Sequence, residues 1–445
     1  MSIEINRQGL LGRLIAAKGN NFVKILTGIR RCGKSYLIFN LFKKHLLESG
    51  VPTNRIIEID LEKPSNKHLT NPIALDEYIR ERISKSNDTH YILIDEIQSC
   101  HKVLPEDLDI SKVHPDDRES CYITFYSVLN GLRTEPNIDI YVTGSNSKML
   151  SSDVATEFRG RGQIIHVTPL SFCEFRNFKG ESSNPIAIIG EYMQFGGLPD
   201  CVLMDSVSKK KEYLINLYHS IYIRDVAERN KIKDEPLLEK IIDVTMSTIG
   251  SLTNPTKLAN AIKTLTGLDT TRPTVAKYLK YLEDAFIVSK ANRYDVKGKH
   301  YLDYPQKYYA TDTGLRNARL NFRQVEPTHL MENIIYCELL RRGYTVDVGV
   351  VEKELHITGK HEIKRYEVDF VVSIPPRTIY IQSAYTIPDE AKRQQETASL
   401  LNIKDNFPKI IIVNDPFQNR TTDDNGITYM SLFDFLTDMK CLEAL

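Results

Sequence analysis

A glycine-rich octapeptide, GIRRCGKS at residues 28–35, is the segment whose residue types and spacing point most directly to chemistry. It follows the apolar run FVKILTG and precedes a helical pattern, which is the context in which G-x-x-x-x-G-K-S binds phosphate. Gly28 and Gly33 permit backbone angles that turn amide N–H groups towards phosphate oxygens, and the following helix adds its N-terminal dipole. We expect Lys34 to contact the β- and γ-phosphates of ATP and Ser35 to hold Mg²⁺.

The other residues of this loop complete the predicted nucleotide-binding set. Cys32 lies inside the loop and Tyr36 directly follows it, and we expect both to contribute to nucleotide binding. Arg30 and Arg31 pack either on the nucleotide or on neighbouring strands. A chance glycine-rich turn is the alternative explanation of the whole segment, and the strand before it and the helix after it count against that alternative.

Two carboxylates end a second strand pattern, YILIDEI at residues 91–97. We expect Asp95 to hold Mg²⁺, directly or through a water molecule, and Glu96 to polarise the water that attacks the γ-phosphate. The alternative is a surface edge strand, where two acids would have no chemical role. The position after a phosphate-binding loop, with one strand between, favours the catalytic pair.

A third strand pattern, IYVTGSN at residues 140–146, ends in small polar residues. In nucleotidases with an extra strand between the two Walker elements, this strand lies between them. Its tip would then place Asn146 or Ser145 beside the γ-phosphate and the water, and Asn146 is the predicted catalytic residue. An ordinary strand-to-turn transition is the alternative.

Two arginines in EFRGRGQ (157–163) precede the fifth strand pattern. Arginine suits a γ-phosphate that develops charge in the transition state. If the protein forms a ring, Arg159 or Arg161 reaches a neighbour's site, and Arg161 is the predicted catalytic residue. A solvated or structural arginine is the alternative.

The composition excludes several classes of protein. The 445 residues carry 58 basic and 58 acidic side chains, so any nucleic-acid surface must be a local patch. Seven scattered cysteines form no CxxC pair, which argues against structural zinc and favours reduced thiols in a cytoplasm. No stretch approaches about 18 apolar residues, so no membrane span is expected.

The elements that must position these residues follow from the order of the patterns. Strands dense in Ile, Val and Leu alternate with helical patterns, which predicts a doubly wound α/β domain with a parallel sheet. The polar stretch 99–121 is interpreted as a loop insertion after the third strand. The five expected strands lie at 22–28, 55–62, 91–97, 138–145 and 163–170.

Different patterns follow in the rest of the chain. Helical patterns at 253–265 and 271–288 precede a polar ribbon, and helix, turn, helix and ribbon are the outline of a winged helix. A helix at 329–344 and three later strand patterns predict a small third α/β domain.

In their order, these motifs resemble the prokaryotic AAA-type ATPases with a C-terminal restriction-endonuclease-like domain. The resemblance covers nearly the whole chain and implies an AAA-type P-loop ATPase core over 1–205, a helical lid and winged-helix region over 206–325, and a PD-(D/E)XK-like α/β domain over 326–445. It rests on TGIRRCGKS, LIDEIQ, VTGSNSKML, FRGRG with VTPLSFCEF, FGGLPD, YIRDVAERN, LMENIIYCELLRRGY, EVDFVV and PKIIIVND.

The resemblance raises the question of nuclease activity. In such domains two or three carboxylates hold Mg²⁺ and a lysine assists the attacking water. Glu332 and Asp369 match the first two carboxylate positions, but Gln382 and Ala384 stand where an acid and the lysine are expected. Because Ala384 cannot replace an ammonium, we expect a degenerate domain that does not cut and that binds DNA or another protein.

Basic residues of the winged-helix pattern are the candidate nucleic-acid surface. The helix would enter a major groove and the ribbon would meet phosphates, although winged helices also serve as docking or lid modules. The predicted partner is double-stranded or branched DNA. The residues are Arg272, Lys277 and Lys280 on the helix and Arg293, Lys297, Lys299 and His300 on the ribbon.

The leading hypothesis is a cytoplasmic ATPase that couples hydrolysis of ATP with Mg²⁺ to conformational change on DNA, as a homo-oligomer such as a hexameric ring. A nucleotide-dependent switch that controls docking of a protein partner needs the same core and stays as the alternative. An ATP-dependent nuclease is a third hypothesis, which Ala384 disfavours.

Overall fold

The computed structural model describes residues 5–83, 88–145, 157–158, 160–180, 184–357 and 360–443. The chain divides into two compact units, the first ending at Thr168 and the second beginning at Pro169. All seven cysteines are free thiols. Among the residues described, none of the helices combines the length and apolar character that crossing a lipid bilayer requires.

A five-stranded parallel sheet forms the centre of the first unit, as predicted. Its strand order is β2-β3-β4-β1-β5, so the strand of the third motif lies between those of the first two. All of β1, β3 and β4 is buried, which explains why these strands are apolar without polar alternation. The strands are β1 Val23–Thr27, β2 Ile56–Asp60, β3 His90–Asp95, β4 Ile138–Gly144 and β5 Gly162–His166.

Helices connect these strands. The helix after β1 contains a π-helical stretch, Leu37–Phe42, between α2 and α3. The insertion predicted at 99–121 consists of loop and one-turn 3₁₀ helices, at Ile110–Lys112, Pro115–Asp117 and Glu119–Cys121. The α-helices are α1 Gln8–Ala16, α2 Lys34–Tyr36, α3 Lys43–Glu48, α4 Pro72–Arg82 and α5 Phe125–Leu132.

A buried ion pair links the two central strands. The ammonium of Lys24 on β1 donates to the carboxylate of Asp139 on β4, and both side chains are at most 2% exposed. Asp139 also accepts from Gly19 N at 3.1 Å and from the Tyr141 hydroxyl at 3.2 Å. Removing the carboxylate would therefore leave a desolvated ammonium without its partner.

We expect Asp139→Ala to lower the free energy of unfolding by about 3–5 kcal/mol, because it strands the buried Lys24 charge. Urea unfolding followed by circular dichroism measures this. The matched control is Glu58→Ala, which breaks the Lys43–Glu58 pair, whose side chains are 29% and 34% exposed. The control should cost at most about 1 kcal/mol. Equal losses in the two variants would contradict the prediction.

The second unit is built on a mixed eight-stranded sheet, in the order β12-β13-β11-β10-β9-β8-β6-β7. Neighbouring pairs β10/β11 and β11/β13 are parallel, whereas β8/β9, β9/β10 and β6/β7 are antiparallel. The strands are β6 Val288–Asp295, β7 His300–Ala310, β8 Thr345–Ile357, β9 Lys360–Ile374, β10 Arg377–Ala384, β11 Lys409–Val413, β12 Thr421–Thr422 and β13 Ile427–Ser431.

Helices surround this sheet, and a π-helical stretch at Tyr218–Ile223 joins α9 to α10. The α-helices of the second unit are α6 Phe172–Lys179, α7 Pro185–Phe195, α8 Pro199–Val202, α9 Val207–Leu217, α10 Arg224–Arg229, α11 Glu235–Ser247, α12 Pro255–Thr266, α13 Arg272–Asp284, α14 Thr313–Arg319, α15 Pro327–Arg341, α16 Glu390–Leu401 and α17 Leu432–Thr437.

Residues 169–205 lie in the second unit, whereas the first predicted domain extends to residue 205. The cause is a tight joint at the FGGLPD motif, where Gly197 N donates to the buried carboxylate of Asp312 at 2.7 Å. A Cβ on Gly196 would lie 2.1 Å from an Asp312 oxygen, and one on Gly197 would lie 2.2 Å from the Leu170 carbonyl oxygen. The two glycines therefore allow α7 to pack beside α14.

The ribbon after α13 is a β-hairpin, β6 and β7, so the order helix, helix, ribbon is as the sequence predicts. However, β6 also pairs in parallel with β8, with Arg293 opposite Val348. The hairpin is therefore the edge of the C-terminal sheet. The predicted boundary at 325/326 separates residues that share this one sheet.

Candidate functional site

The phosphate-binding loop joins β1 to α2, and its two glycines are required by its path. Gly28 has φ 149°, and a Cβ there would lie 2.0 Å from the carbonyl oxygen of Val167. Gly33 has φ 94° and directly precedes the first residue of α2. Both angles lie in the region that side chains avoid, so neither position accepts another residue without strain. The loop thus leads into a helix N-terminus, where amide N–H groups can meet an anion.

Lys34 is buried and turned back over the loop. Its Nζ donates to the carbonyl oxygens of Gly28 at 3.0 Å and Ile29 at 3.2 Å. These are neutral acceptors, and phosphate oxygens are stronger ones because they carry charge. The ammonium is therefore held at the loop, and we expect it to exchange the carbonyl oxygens for phosphate oxygens when a nucleotide binds.

Cys32 is a buried residue of the loop, and both its thiol and its carbonyl group form hydrogen bonds. Its thiol donates to the Val167 carbonyl oxygen at 3.2 Å, and burial raises the pKa of this thiol. The buried Arg7 donates to the carbonyl oxygens of Cys32 at 2.9 Å and Thr168 at 2.8 Å. Arg7 thus ties the loop to the end of β5. The sequence analysis missed it, because nothing in its neighbourhood resembles a motif.

The remaining residues of the predicted nucleotide-binding set differ in exposure. Arg31 is exposed and has φ 64°, whereas Arg30 and Tyr36 are half-buried. Ser35 is half-buried and its hydroxyl hydrogen-bonds to Asp95. Ser35 therefore has a direct link to Asp95, the other predicted metal ligand.

Asp95 lies at the end of β3, beside the loop. It is 5% exposed and accepts hydrogen bonds from the hydroxyls of Thr143 and Ser35. Burial raises the pKa of Asp95, and the two hydroxyls oppose that shift. Parallel strands end at one edge of a sheet, which is why residues 60 positions apart meet here. Carboxylate and hydroxyl oxygens are suitable Mg²⁺ ligands, so the predicted metal pair fits the group.

Glu96 has a left-handed backbone, with φ 53° and ψ 49°. Such a conformation costs a non-glycine residue about 1–3 kcal/mol and is concentrated at functional sites. The contacts around Glu96 stabilise it: its N–H donates to Thr143 Oγ1 at 3.0 Å, and its Oε2 accepts from Ser145 Oγ at 3.2 Å and from Gln98 Nε2. Its carboxylate is therefore held in one place, 9% exposed.

Gln98 is a second residue that the sequence analysis missed as part of the site. Its side-chain amide contacts both Glu96 and, at 3.2 Å, Ser145 Oγ. Its position two residues after the DE pair was the available signal. Ser145, one of the two alternatives for the third motif, thus belongs to the network, whereas Asn146 lies outside the described residues.

The two arginines predicted to act on the γ-phosphate are not part of this network. Arg159 lies outside the described residues. Arg161 precedes β5, and its carbonyl oxygen accepts from Val23 N at the amino edge of the sheet. Because β5 has five residues at about 3.3 Å each, Arg161 lies on the order of 15 Å from the carboxyl edge that bears the loop. The structure does not bring Arg161 to the phosphate-binding loop of its own chain, so a catalytic role requires another subunit.

The basic residues predicted to contact DNA differ in their exposure and in the contacts that they make within the protein. Lys280 is paired with Asp284 at 3.0 Å, and Lys277 lies over the Tyr281 ring. Arg293 is half-buried, whereas Lys297, Lys299 and His300 are exposed. Arg272 borders a groove of about 550 Å³ at the N-terminal ends of α12 and α13. The groove is lined by Asn254, Pro255, Thr256, Lys257, Asn260 and Arg272.

The residues predicted for the nuclease-like centre lie close together. Glu332 on α15 and Asp369 on β9 both contact Lys307. Gln382 accepts from Asp369 N at 3.4 Å and from Ser399 Oγ at 3.3 Å, and Ala384 is 2% exposed. Lys307, on β7, was not predicted.

Comparison with known proteins agrees with the geometry of the first unit. A family profile described as "AAA domain" matches residues 20–176, which include the phosphate-binding loop, Asp95 and Glu96. A second profile, described as a domain of unknown function (DUF8612), matches residues 187–326.

Similar chains occur in bacteria and archaea. An uncharacterized protein of Haemophilus influenzae is 32% identical over 435 residues, covering 97% of this chain and 98% of that protein. An uncharacterized protein of Methanocaldococcus jannaschii is 29% identical over 425 residues, covering 91% and 85%. The solved Walker-type ATPase of Pyrococcus abyssi has a TM-score of 0.48 at 13% identity, over 71% of this chain and 96% of that one. The likeness in sequence over nearly the whole of both chains shows that this chain belongs to the family of the Haemophilus influenzae protein, and that its residues 20–176 form an AAA domain with a P-loop.

Proposed function

We propose that this chain hydrolyses ATP at the phosphate-binding loop, with Mg²⁺ on Ser35 and Asp95 and with Glu96 as the residue that polarises water. The observation that carries the proposal is the network that joins Ser35 and Asp95 to Thr143, and Glu96 to Ser145 and Gln98. A site that only binds nucleotide does not need a strained, buried glutamate held by three neighbours.

Each residue has one task in this mechanism. The loop amides and Lys34 hold the phosphates, and Lys34 exchanges its carbonyl partners for phosphate oxygens. Bound Mg²⁺ would neutralise charge on the β- and γ-phosphates. Glu96 accepts a hydrogen bond from the attacking water, and Ser145 and Gln98 keep its carboxylate oriented. Asn146, Arg30, Arg31 and Tyr36 remain predicted contributors.

We further propose that hydrolysis is coupled to binding of double-stranded or branched DNA. The support is the groove at the N-terminal ends of α12 and α13, where Lys257 and Arg272 lie beside Asn254, Thr256 and Asn260. The exposed residues Lys297, Lys299 and His300 at the hairpin turn add a second basic site. Lys257 Nζ donates to the carbonyl oxygen of Leu252 at 3.0 Å, a neutral acceptor that a charged phosphate oxygen can replace, so Lys257 is a candidate for a phosphate contact together with Arg272.

The proposal of an oligomer rests on the predicted catalytic role of Arg161. At the amino edge of its own sheet, Arg161 serves catalysis only if it reaches the nucleotide of a neighbouring subunit. We therefore propose a homo-oligomer, in keeping with a ring.

We also propose that the C-terminal domain does not cut nucleic acid, since Ala384 supplies no ammonium and Gln382 is engaged by Asp369 N and Ser399.

Multiple-turnover ATP hydrolysis with and without duplex and branched DNA tests the coupling. We expect stimulation by DNA, and a DNA affinity that falls as salt rises, since phosphate contacts release counterions. The double variant Lys257→Ala/Arg272→Ala should lose the stimulation while keeping the basal rate. Lys112→Ala, on the exposed insertion of the first unit, is the matched control. Slow turnover unaffected by DNA, with a protein partner bound according to nucleotide, would favour the switch instead.

A further inference from the structure

A cluster of buried charges lies inside the second unit. It joins Lys307 on β7, Glu332 on α15, and Glu367 and Asp369 on β9. The Lys307 side chain is 3% exposed, those of Glu332 and Asp369 are about 10% exposed, and that of Glu367 is 31% exposed. The site is thus almost closed, with Glu367 on its open side.

The ammonium of Lys307 is central to the cluster. Its Nζ lies 2.7 Å from Glu332 Oε1, 2.7 Å from Glu367 Oε1 and 3.4 Å from Asp369 Oδ1. An ammonium has three protons, and here three carboxylates surround it. Carboxylate oxygens are also the ligands that a hard divalent cation prefers. With the ammonium in place, no group of three or more acidic, histidine or cysteine side chains among the described residues is arranged to hold a metal ion.

Neighbouring donors also bind two of these carboxylates: one shares the Glu332 oxygen that Lys307 contacts, and the other binds the second oxygen of Asp369. The Tyr309 hydroxyl donates to Glu332 Oε1 at 2.7 Å, and Ser383 N donates to Asp369 Oδ2 at 2.9 Å. A metal ion entering this cluster would have to displace the ammonium. Among the described contacts, the acidic partners of the ammonium are the same three carboxylates that the metal ion would bind. A divalent cation beside the ammonium would also meet direct repulsion.

The protonation states agree with this arrangement. Burial lowers the pKa of Lys307, but Glu332, Asp369 and Glu367 outweigh burial and hold that pKa above its usual value. Burial also raises the pKa of Glu332 to about 7, with the Lys307 charge opposing the shift. Lys307 is therefore charged at neutral pH.

We propose that Lys307 is the resident cation of a latent divalent-metal site formed by Glu332, Glu367 and Asp369. The ammonium replaces the metal, so the wild-type centre is a metal-free ionic joint between β7, α15 and β9. Removing the ammonium exposes three carboxylates that take a hard divalent cation such as Mn²⁺ or Mg²⁺. This inference does not depend on the proposed ATPase mechanism.

Mn²⁺ binding to nucleotide-free, full-length protein tests the proposal. All variants carry Asp95→Asn, which removes the other predicted metal ligand. With free Mn²⁺ followed by electron paramagnetic resonance up to about 1 mM, the range of weak protein sites, we expect no stoichiometric binding in the chain that retains Lys307. Lys307→Met should bind one Mn²⁺ per chain, and adding Asp369→Asn should abolish that binding. Lys297→Met, an exposed lysine of the same hairpin, is the matched control and should bind none.

Two results would overturn the proposal. One is a stoichiometric Mn²⁺ site in the Lys307-containing chain that Asp369→Asn removes, because the ammonium would then not exclude metal. The other is a folded Lys307→Met variant that binds no Mn²⁺. If Lys307→Met unfolds without metal, recovery of its native circular dichroism on adding Mn²⁺, but not on adding KCl, supports the proposal, and no recovery counts against it.

Discussion

Glu96→Gln is expected to bind ATP with nearly unchanged affinity and to hydrolyse it about 10²–10⁴-fold more slowly, the range that general bases contribute. The amide keeps the size of the side chain and can still contact Ser145 and Gln98. It cannot accept a proton from water or bear the negative charge that polarises it. Binding depends on the loop and Lys34, which the substitution does not touch.

Single-turnover hydrolysis and fluorescent-nucleotide binding separate these two effects. The matched control is Glu62→Gln, an exposed glutamate just beyond β2 that undergoes the same change of charge. It should hydrolyse ATP at the wild-type rate. A second variant, Gln98→Ala, removes only a residue that positions Glu96, so it should lower kcat with little effect on KM. Normal turnover by Glu96→Gln would refute the role of Glu96 as the base.

Lys34→Ala is expected to weaken ATP binding by about 30-fold or more, equivalent to about 2 kcal/mol or more for removing one partner of a buried charge pair. The triphosphate would then lie in the loop without the ammonium that offsets its charge. The fold should survive, because Lys34 donates only to the loop carbonyls of Gly28 and Ile29. Hydrolysis should fall in parallel, because little ATP is bound.

Isothermal titration with ATP, together with circular dichroism of the free protein, measures both expectations. Lys43→Ala, further along the same helix, removes an equal charge and an exposed salt bridge to Glu58. It should bind ATP as the wild type does. If Lys34→Ala bound ATP normally and remained folded, the phosphate-binding assignment of residues 28–35 would be untenable.

Local sequence was sufficient for the nucleotide site because each part of that site is a contiguous motif. GIRRCGKS, YILIDEI and IYVTGSN each combine an apolar strand with polar residues at its carboxyl end. Parallel pairing then brings those ends to one edge, as the register of Thr27 with Gly144 shows. The five strands and the meeting of their polar ends were therefore predictable, whereas the place of β4 between β1 and β3 was predicted from the likeness to nucleotidases with an extra strand.

Contacts between distant segments were not predictable, because strand and helix periodicity carries no information about which elements become neighbours. Arg7 reaches the loop from the start of the chain, and Gln98 turns back onto Glu96. Arg161 looked like a catalytic arginine beside a strand, but the direction of β5 places it at the opposite edge. Only the direction of the strand in the folded sheet decides at which edge Arg161 lies.

In the second unit too, some features were predicted from the sequence and others were decided by the tertiary structure. The sequence, through the resemblance of its motifs to restriction-endonuclease-like domains, predicted that Glu332 and Asp369 lie together and that Ala384 supplies no charge, and both acids do contact Lys307. Tertiary structure decided that β6 pairs with β8, which makes the ribbon part of the C-terminal sheet and carries Lys307 on β7 to these acids. The ammonium comes from 62 residues before Asp369, a separation that no local pattern records. Buried charges find partners by packing and Coulomb attraction, and those depend on distance in space rather than along the chain.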